Sequence, residues 1–260
     1  MVTSCVTIPT PIVSLGRSVL DFVYPPHCCA CRGPIICASD ILCVDCRSQI
    51  GSNPGTTVCQ RCCCPSRQPV DGGCHHCSSW QEVPERVLIM GPFEGALQAS
   101  IHALKFGRKR QLAKEVGRMF TDLPAFAADF AEIDLLVPIP LHPSRQRERG
   151  YNQSELIAAG LARRLAKPLR CDLVRRVRAT AQQAILDASR RRDNLREAFE
   201  VVEIPPSGAR IGLVDDVVTT AATMGSCARA LLDAGAAAVW GVALASPFQQ
   251  PGGPDSVPVT

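Results

Sequence analysis

Aromatic residues make up only 5% of this 260-residue chain, and the segment 142–196 has a single one, Tyr151. That segment offers no row of rings on which nucleic-acid bases could stack. No run is long and apolar enough for a helix to cross a membrane. The first 24 residues lack a basic n-region, and Arg17 and Asp21 interrupt their apolar stretch, so a secretory signal is not expected and a cytoplasmic location is. Large apolar side chains are few between residues 28 and 77, a segment that must therefore depend on something other than a hydrophobic core to fold. No Cys-His arrangement marks a nucleophilic thiol.

Cysteine is the residue in excess. Twelve of the fifteen lie between Cys28 and Cys77, and eight of these form four C-x-x-C knuckles: Cys28/Cys31, Cys43/Cys46, Cys59/Cys62 and Cys74/Cys77. Shifting the first two knuckles by 31 residues reproduces the last two, so the segment duplicates one C-x2-C-x11-C-x2-C unit. Two knuckles supply four thiolates, the tetrahedral shell of a structural Zn²⁺. The competing reading is a disulfide framework, which the reducing cytosol disfavours. Two structural zincs are expected, with the knuckles paired within each unit. Cys29, Cys37, Cys63 and Cys64, with His27, His75 and His76, are close enough to compete as ligands but are not assigned. Cys227 falls on an apolar helix face and is expected to be a small buried hydrophobe.

The stretch from Ile211 to Thr223, I-G-L-V-D-D-V-V-T-T-A-A-T, reads as a buried strand, an acidic turn at Asp215 and Asp216, and a helix whose apolar face is Met224, Cys227, Ala228, Leu231 and Leu232. A helix start offers free N–H groups and a positive dipole end to phosphate, and Thr219, Thr220 and Thr223 add hydroxyls. Two carboxylates just upstream can accept hydrogen bonds from ribose hydroxyls, as an acid does in a Rossmann unit. The plainer alternative is a pair of turn acids before a threonine-capped helix.

A second stretch, L-L-V-P-I-P-L-H-P-S-R-Q-R-E-R-G-Y-N-Q-S from Leu135, places a strand before Pro138, Pro140 and Pro143, which predict an extended, stiff exit. Arg145, Arg147 and Arg149 follow at alternate positions, either as a guanidinium clamp for pyrophosphate or as a solvated charge run. Segment 142–196 holds fourteen Lys/Arg against five Asp/Glu, a local +9 in a chain of +4. That sign suits pyrophosphate and the backbone of single-stranded nucleic acid equally, with binding mainly electrostatic.

The Asp-Asp-x-x-Thr-Thr pattern resembles the signature of type I phosphoribosyltransferases. V-P-I-P-L-H with R-E-R-G-Y-N-Q-S-E-L is similar to the ComF family of bacterial competence proteins, as are Gln182, Gln183, Arg191, Asn194 and Ala198-Phe199, and the segment from Gly91 to Gly107 that closes on Lys105 and Phe106. The resemblance covers roughly residues 24–246. It implies an α/β fold, a transferase-like parallel sheet flanked by helices, preceded by a small cysteine-rich zinc-ribbon module. By that resemblance Asp215, Asp216, Thr219, Thr220, Ala221, Ala222 and Thr223 bind phosphoribosyl pyrophosphate with Mg²⁺, and Pro140, Leu141, His142, Arg145 and Arg149 bind its pyrophosphate. The metal ligands would be Cys28, Cys31, Cys43, Cys46, Cys59, Cys62, Cys74 and Cys77. One departure stands out: Ala221 replaces the family's usual glycine, and a Cβ makes a loop of positive φ harder to build, so weaker phosphate binding is expected.

The expected organisation is an N-terminal segment 1–24 with a short helix, a double zinc ribbon 25–80, a transferase-like domain 86–246 and a disordered tail 247–260. Strands are expected at Val87–Met90, Leu135–Val137, Ile211–Val214 and Ala238–Ala245, and helices near 95–122, 151–166, 182–195 and 223–234. His102 and Lys105 are read as a core-edge histidine and a snorkelling lysine without a role. Two functions fit. One is a component of DNA uptake and natural transformation that binds phosphoribosyl pyrophosphate, with single-stranded DNA and other competence proteins as further partners. The other is a working phosphoribosyltransferase of nucleotide salvage or synthesis, although no acceptor pocket is legible.

Overall fold

The computed structural model describes residues 26–35, 41–50, 58–64, 74–78, 80, 84–107, 109–178 and 198–248. The expected N-terminal helix in 1–24, the helix at 182–195 with its glutamines and arginines, Cys37, and residues 249–260 lie outside the described residues.

Four parallel strands form the main sheet: β1 (Val87–Pro92), β2 (Leu135–Pro138), β5 (Arg210–Val217) and β6 (Ala238–Ser246), in the order β1-β6-β5-β2. Between β2 and β5 in the chain, β3 (Val174–Arg176) and β4 (Phe199–Val201) pair antiparallel as a separate ribbon. The main strands read as continuous apolar runs because both faces are covered. Leu88, Met90, Val214, Val242 and Leu244 face α3 (Gly95–Phe106), α4 (Gln111–Thr121) and α7 (Gln153–Leu165). Their alternate neighbours Ile89, Leu213, Val239 and Ala243 pack with Met224, Cys227 and Leu231 of α8 (Ala222–Asp233) and with the β3–β4 ribbon.

Gly117 and Gly160 let α4 and α7 approach closely: a Cβ on Gly160 would lie 3.1 Å from the Ala113 carbonyl. That crossing fixes α7, whose N-terminus points to the carboxyl edge of the sheet. The helix expected over 95–122 is two helices, because α3 ends at Gly107, whose N–H caps Ala103 O, and the chain restarts at Gln111. After a short 3-10 turn, α5 spans Ala127–Glu132. The stiff exit after β2 is extended only to His142. Pro143 then takes the first position of a helix, where its missing N–H does no harm, and α6 runs from Pro143 to Arg149.

The cysteine-rich region repeats in structure as it does in sequence. Cys28 N–H bonds Gly33 O and Arg32 N–H bonds Cys28 O; Cys59 N–H bonds Cys64 O and Cys63 N–H bonds Cys59 O. Arg32 and Cys63, equivalent in the two units, both take left-handed backbone. Helices α1 (Val44–Gln49) and α2 (His75–Ser78) each follow the third cysteine of their unit. Both units are built into the main core. Leu42, Cys46 and Ile50 join the cluster under α4, with Arg47 paired to Glu115 at 2.5 Å, while Cys62, Cys77 and Trp80 join the other. Phe248, expected in a disordered tail, is buried against the His76 ring of the second unit.

Candidate functional site

Ligands of open α/β sheets bind beyond the carboxyl ends of the strands, and here the two candidate motifs leave neighbouring strands at that edge. Pro138 of β2 is in register with Val214 of β5, and Ile139 N–H bonds Val214 O at 2.9 Å. The acidic motif therefore lies beside the V-P-I-P exit. Its loop surrounds a small pocket of about 50 Å³ lined by Asp215, Val217 and residues 218–224, which include Thr219, Thr220, Ala221, Ala222 and Thr223.

Asp215 and Asp216 do not sit in a turn after the strand. Because β6 runs on to Ser246, pairing continues through Val217, so the two acids occupy the last pleats and point to opposite faces. Asp215 faces the pocket. Its Oδ1 accepts from Ser154 Oγ at 2.9 Å and from Asp216 N–H at 2.9 Å. Burial, and then the Asp216 charge, push its pKa up to about 7, with the two hydrogen bonds and Lys105 pulling the other way. Asp216, buried under the other face, pairs with Lys105 Nζ at 3.0 Å. Lys105 is thus part of the site after all, while His102 lies between Phe93 and Phe106.

Ala221 adopts φ 55°, ψ 3° at the cap of α8. The loop demands the left-handed backbone that glycine would supply, and alanine supplies it at about 1–2 kcal/mol. The geometry that the substitution was expected to impair is present.

The residues expected to hold pyrophosphate are differently placed. Pro140, Leu141 and His142 are half-buried at the exit of β2. His142 is the cap of α6, its Nδ1 accepting from Ser144 N–H at 3.3 Å and from the Ser144 hydroxyl at 2.7 Å. Arg145 and Arg149 share one face of α6 and Arg147 takes another, so the three do not form a row. Arg149 is engaged, donating to Gln153 Oε1 at 2.5 Å with its guanidinium 5.5 Å from the Phe106 ring.

The Y-N-Q-S run after α6 ties these elements together. Tyr151 donates to Leu104 O on α3, Asn152 Nδ2 donates to Ile139 O at 3.0 Å while its Oδ1 caps α7, and Ser154 reaches Asp215. Arg176 of β3, unremarked in the sequence, stands over the Phe199 ring at 5.5 Å. Burial lowers its pKa, opposed by the charge of Asp215 and reinforced by that of Arg145, so each of these lies within electrostatic reach of Arg176. Lys105 and Ser154 lie in segments that resemble the family, but nothing local in the sequence assigns them to the two acids or marks Arg176; only the pairing of distant elements brings them here.

The eight knuckle cysteines form two groups, Cys28/Cys31/Cys43/Cys46 and Cys59/Cys62/Cys74/Cys77, with all sulfurs of a group within 4.8 Å of one another. The pairing is within each repeat, as expected. Sulfur separations of 3.7 Å (Cys31–Cys43), 3.8 Å (Cys59–Cys77) and 3.5 Å (Cys62–Cys74) are far from a disulfide bond. They match the roughly 3.8 Å between thiolates that a tetrahedral Zn–S distance of about 2.3 Å implies. Gly33 N–H and Cys74 N–H point at Cys31 Sγ and Cys59 Sγ, each at 3.3 Å, as thiolates require. Burial opposes the Cys28 thiolate, but N–H groups of Cys31, Cys43 and Ala30 bring its pKa down to about 6. Each group can hold a zinc ion. The second also touches the loop after β5. Ser246 Oγ gives its proton to Val218 O at 2.5 Å, so His76 Nε2, 2.8 Å away, must donate to Ser246.

Fold and site together define a parallel α/β protein with two four-cysteine units, each able to hold a metal ion, packed into its core. Escherichia coli DNA utilization protein YhgH is 33% identical over 221 residues, 83% of this chain and 94% of that protein. Haemophilus influenzae competence protein F is 32% identical over 228 residues, 84% and 97% of the two chains. Bacillus subtilis competence protein ComFC is 28% identical over 208 residues, 76% and 80%. No protein-family model matches the chain. At this identity and coverage the chain belongs to the ComF family of competence and DNA utilization proteins. No helix among the described residues is long and apolar enough to cross a membrane.

Proposed function

We propose that the protein serves DNA uptake, as the names of its relatives indicate, and that its α/β domain binds phosphoribosyl pyrophosphate at the carboxyl ends of β2 and β5, with single-stranded DNA as a further partner. The observation that carries this reading is the left-handed Ala221 at the start of α8. With that turn, Thr219, Thr220 and Thr223 line the same pocket as Asp215 at a helix start, where free N–H groups and hydroxyls suit phosphate. Asp215 accepts a hydrogen bond from a ribose hydroxyl, Asp216 is paired with Lys105 on the opposite face of β5, and Arg145 and Arg176 face the pyrophosphate.

Two carboxylates, both already engaged by protein donors, do not make a self-sufficient Mg²⁺ site. They suit Mg²⁺ that arrives on pyrophosphate, keeping phosphate oxygens and water as its main ligands. Titration calorimetry with phosphoribosyl pyrophosphate and Mg²⁺ tests the site. Asp215→Asn should weaken binding roughly 10- to 150-fold, the loss of one hydrogen bond to a charged group. A parent protein that binds nothing overturns the reading. Turnover is read separately, by pyrophosphate release in the presence of a panel of bases and amines.

A further inference from the structure

We propose that the ring of Phe106, with the arginines around it, is a base-stacking step for single-stranded nucleic acid at the rim of the phosphosugar pocket. The inference rests on the DNA part of the proposed function and gives it a place on the molecule. Phe106 is 71% exposed, where a phenylalanine at the end of a core helix would ordinarily tuck its ring inward. It closes a row of rings: Phe93 stacks on His102 at 5.8 Å, and His102 meets Phe106 edge-on at 6.0 Å. The aromatic residues missing from the basic segment are supplied by α3, which the fold lays beside that segment.

The cations are arranged to match. Arg149 stands over the Phe106 ring at 5.5 Å, and Arg110 stands over the Tyr151 ring at 4.8 Å and donates to Gly150 O at 3.3 Å. Lys109, Arg110, Arg145 and Arg147 are all exposed, and Arg149 is half-buried against its ring. Glu148 is the acid among them on α6. One residue before Phe106, Lys105 turns inward to Asp216, and one turn before Arg149, Arg145 comes within electrostatic reach of Arg176. The platform and the pocket therefore share α3 and α6, and a strand whose base stacks on Phe106 has its backbone beside the arginine helix. A free base or nucleoside would need the ring but not this many cations. A repeated phosphate backbone uses both. Duplex DNA hides the base faces that Phe106 would take.

Fluorescence anisotropy of a labelled oligothymidylate, titrated with the full-length protein, tests this. Phe106→Ala should weaken binding about 5- to 150-fold, the range for losing one stacked base, while Phe106→Trp retains it. The ring is exposed, so the far-ultraviolet circular dichroism and melting temperature of the variants should match the parent. Arg147→Gln and Arg149→Gln should each reduce the slope of log affinity against log salt by about 0.7. Oligouridylate should behave like oligothymidylate. If the parent binds the oligomer and Phe106→Ala binds it equally well, the platform is refuted while the DNA reading stands. If the parent does not bind at all, both fall. Equal binding of a duplex, or full competition by a free nucleoside at the concentration of the oligomer, also refutes it.

Discussion

Replacing Lys105 by methionine keeps the length of the side chain and removes the cation that faces Asp216. At 3.0 Å and an effective dielectric constant of about 20, the pair attracts by about 5–6 kcal/mol before desolvation is counted. Breaking a buried pair by deleting one partner typically costs 3–5 kcal/mol, because the remaining charge is stranded. Here the acid side chain is 5% exposed and the lysine 21%, so the stranded group is the deeply buried one, and the edge position of Lys105 trims the figure to about 2–4 kcal/mol. Urea denaturation should therefore show a lower midpoint for Lys105→Met with an unchanged slope. Adding Asp216→Asn removes the stranded charge and should recover more than half of the loss, a coupling that the double-mutant cycle measures. A deficit below about 0.5 kcal/mol, or a double variant no more stable than the single, would refute the account.

Three further outcomes are expected. Asp215 has a folded pKa of about 7 against an ordinary value of 3.8, so its contribution to stability is full below about pH 4 and is lost as the pH rises through 7; Asp215→Asn should flatten that slope in urea titrations, and an unchanged slope sinks the assignment. In Ala221→Gly, the left-handed strain relieved, about 1–2 kcal/mol, is offset by a lost buried methyl of about 0.8 and by about 0.4–1 of added unfolded-state entropy. Its stability should then stay within about 1 kcal/mol of the parent, and phosphoribosyl pyrophosphate affinity within a few-fold. The first cysteine group includes the exposed Cys31, whereas all four cysteines of the second are buried. Purified protein should carry two zinc ions, and a chelator should remove one quickly and the other slowly with a change in Trp80 fluorescence; release of both in one phase would contradict that difference.

The sheet was readable because its strands are buried on both faces and appear as unbroken apolar runs, at Val87, Leu135, Ile211 and Ala238. The ribbon was not. β3 and β4 are three residues each and half-exposed, too short for any period to register. The helix α6 was hidden by its own prolines, since Pro143 starts a helix as readily as it ends one. In the site, the loop from Asp215 to Thr223 was visible as strand, acids and helix start, while the direction of each acid depended on how far β6 extends beside β5.

What the sequence determined alone was whatever spacing encodes: two sets of four thiols 31 residues apart, and an acid pair leading into a threonine-rich helix start. Both are local, and local geometry follows the fixed periods of knuckle, strand and helix. Only the tertiary structure decided the partners. Ser154 reaches Asp215 across 61 residues, His76 reaches Ser246 across 170, and Lys105 and Phe106, adjacent in the chain, turn to opposite duties at Asp216 and at the arginines of α6. Such contacts depend on the order of the strands and the crossing of α4 over α7, which bring remote segments together by burying apolar surface and leave no periodic trace in the chain itself.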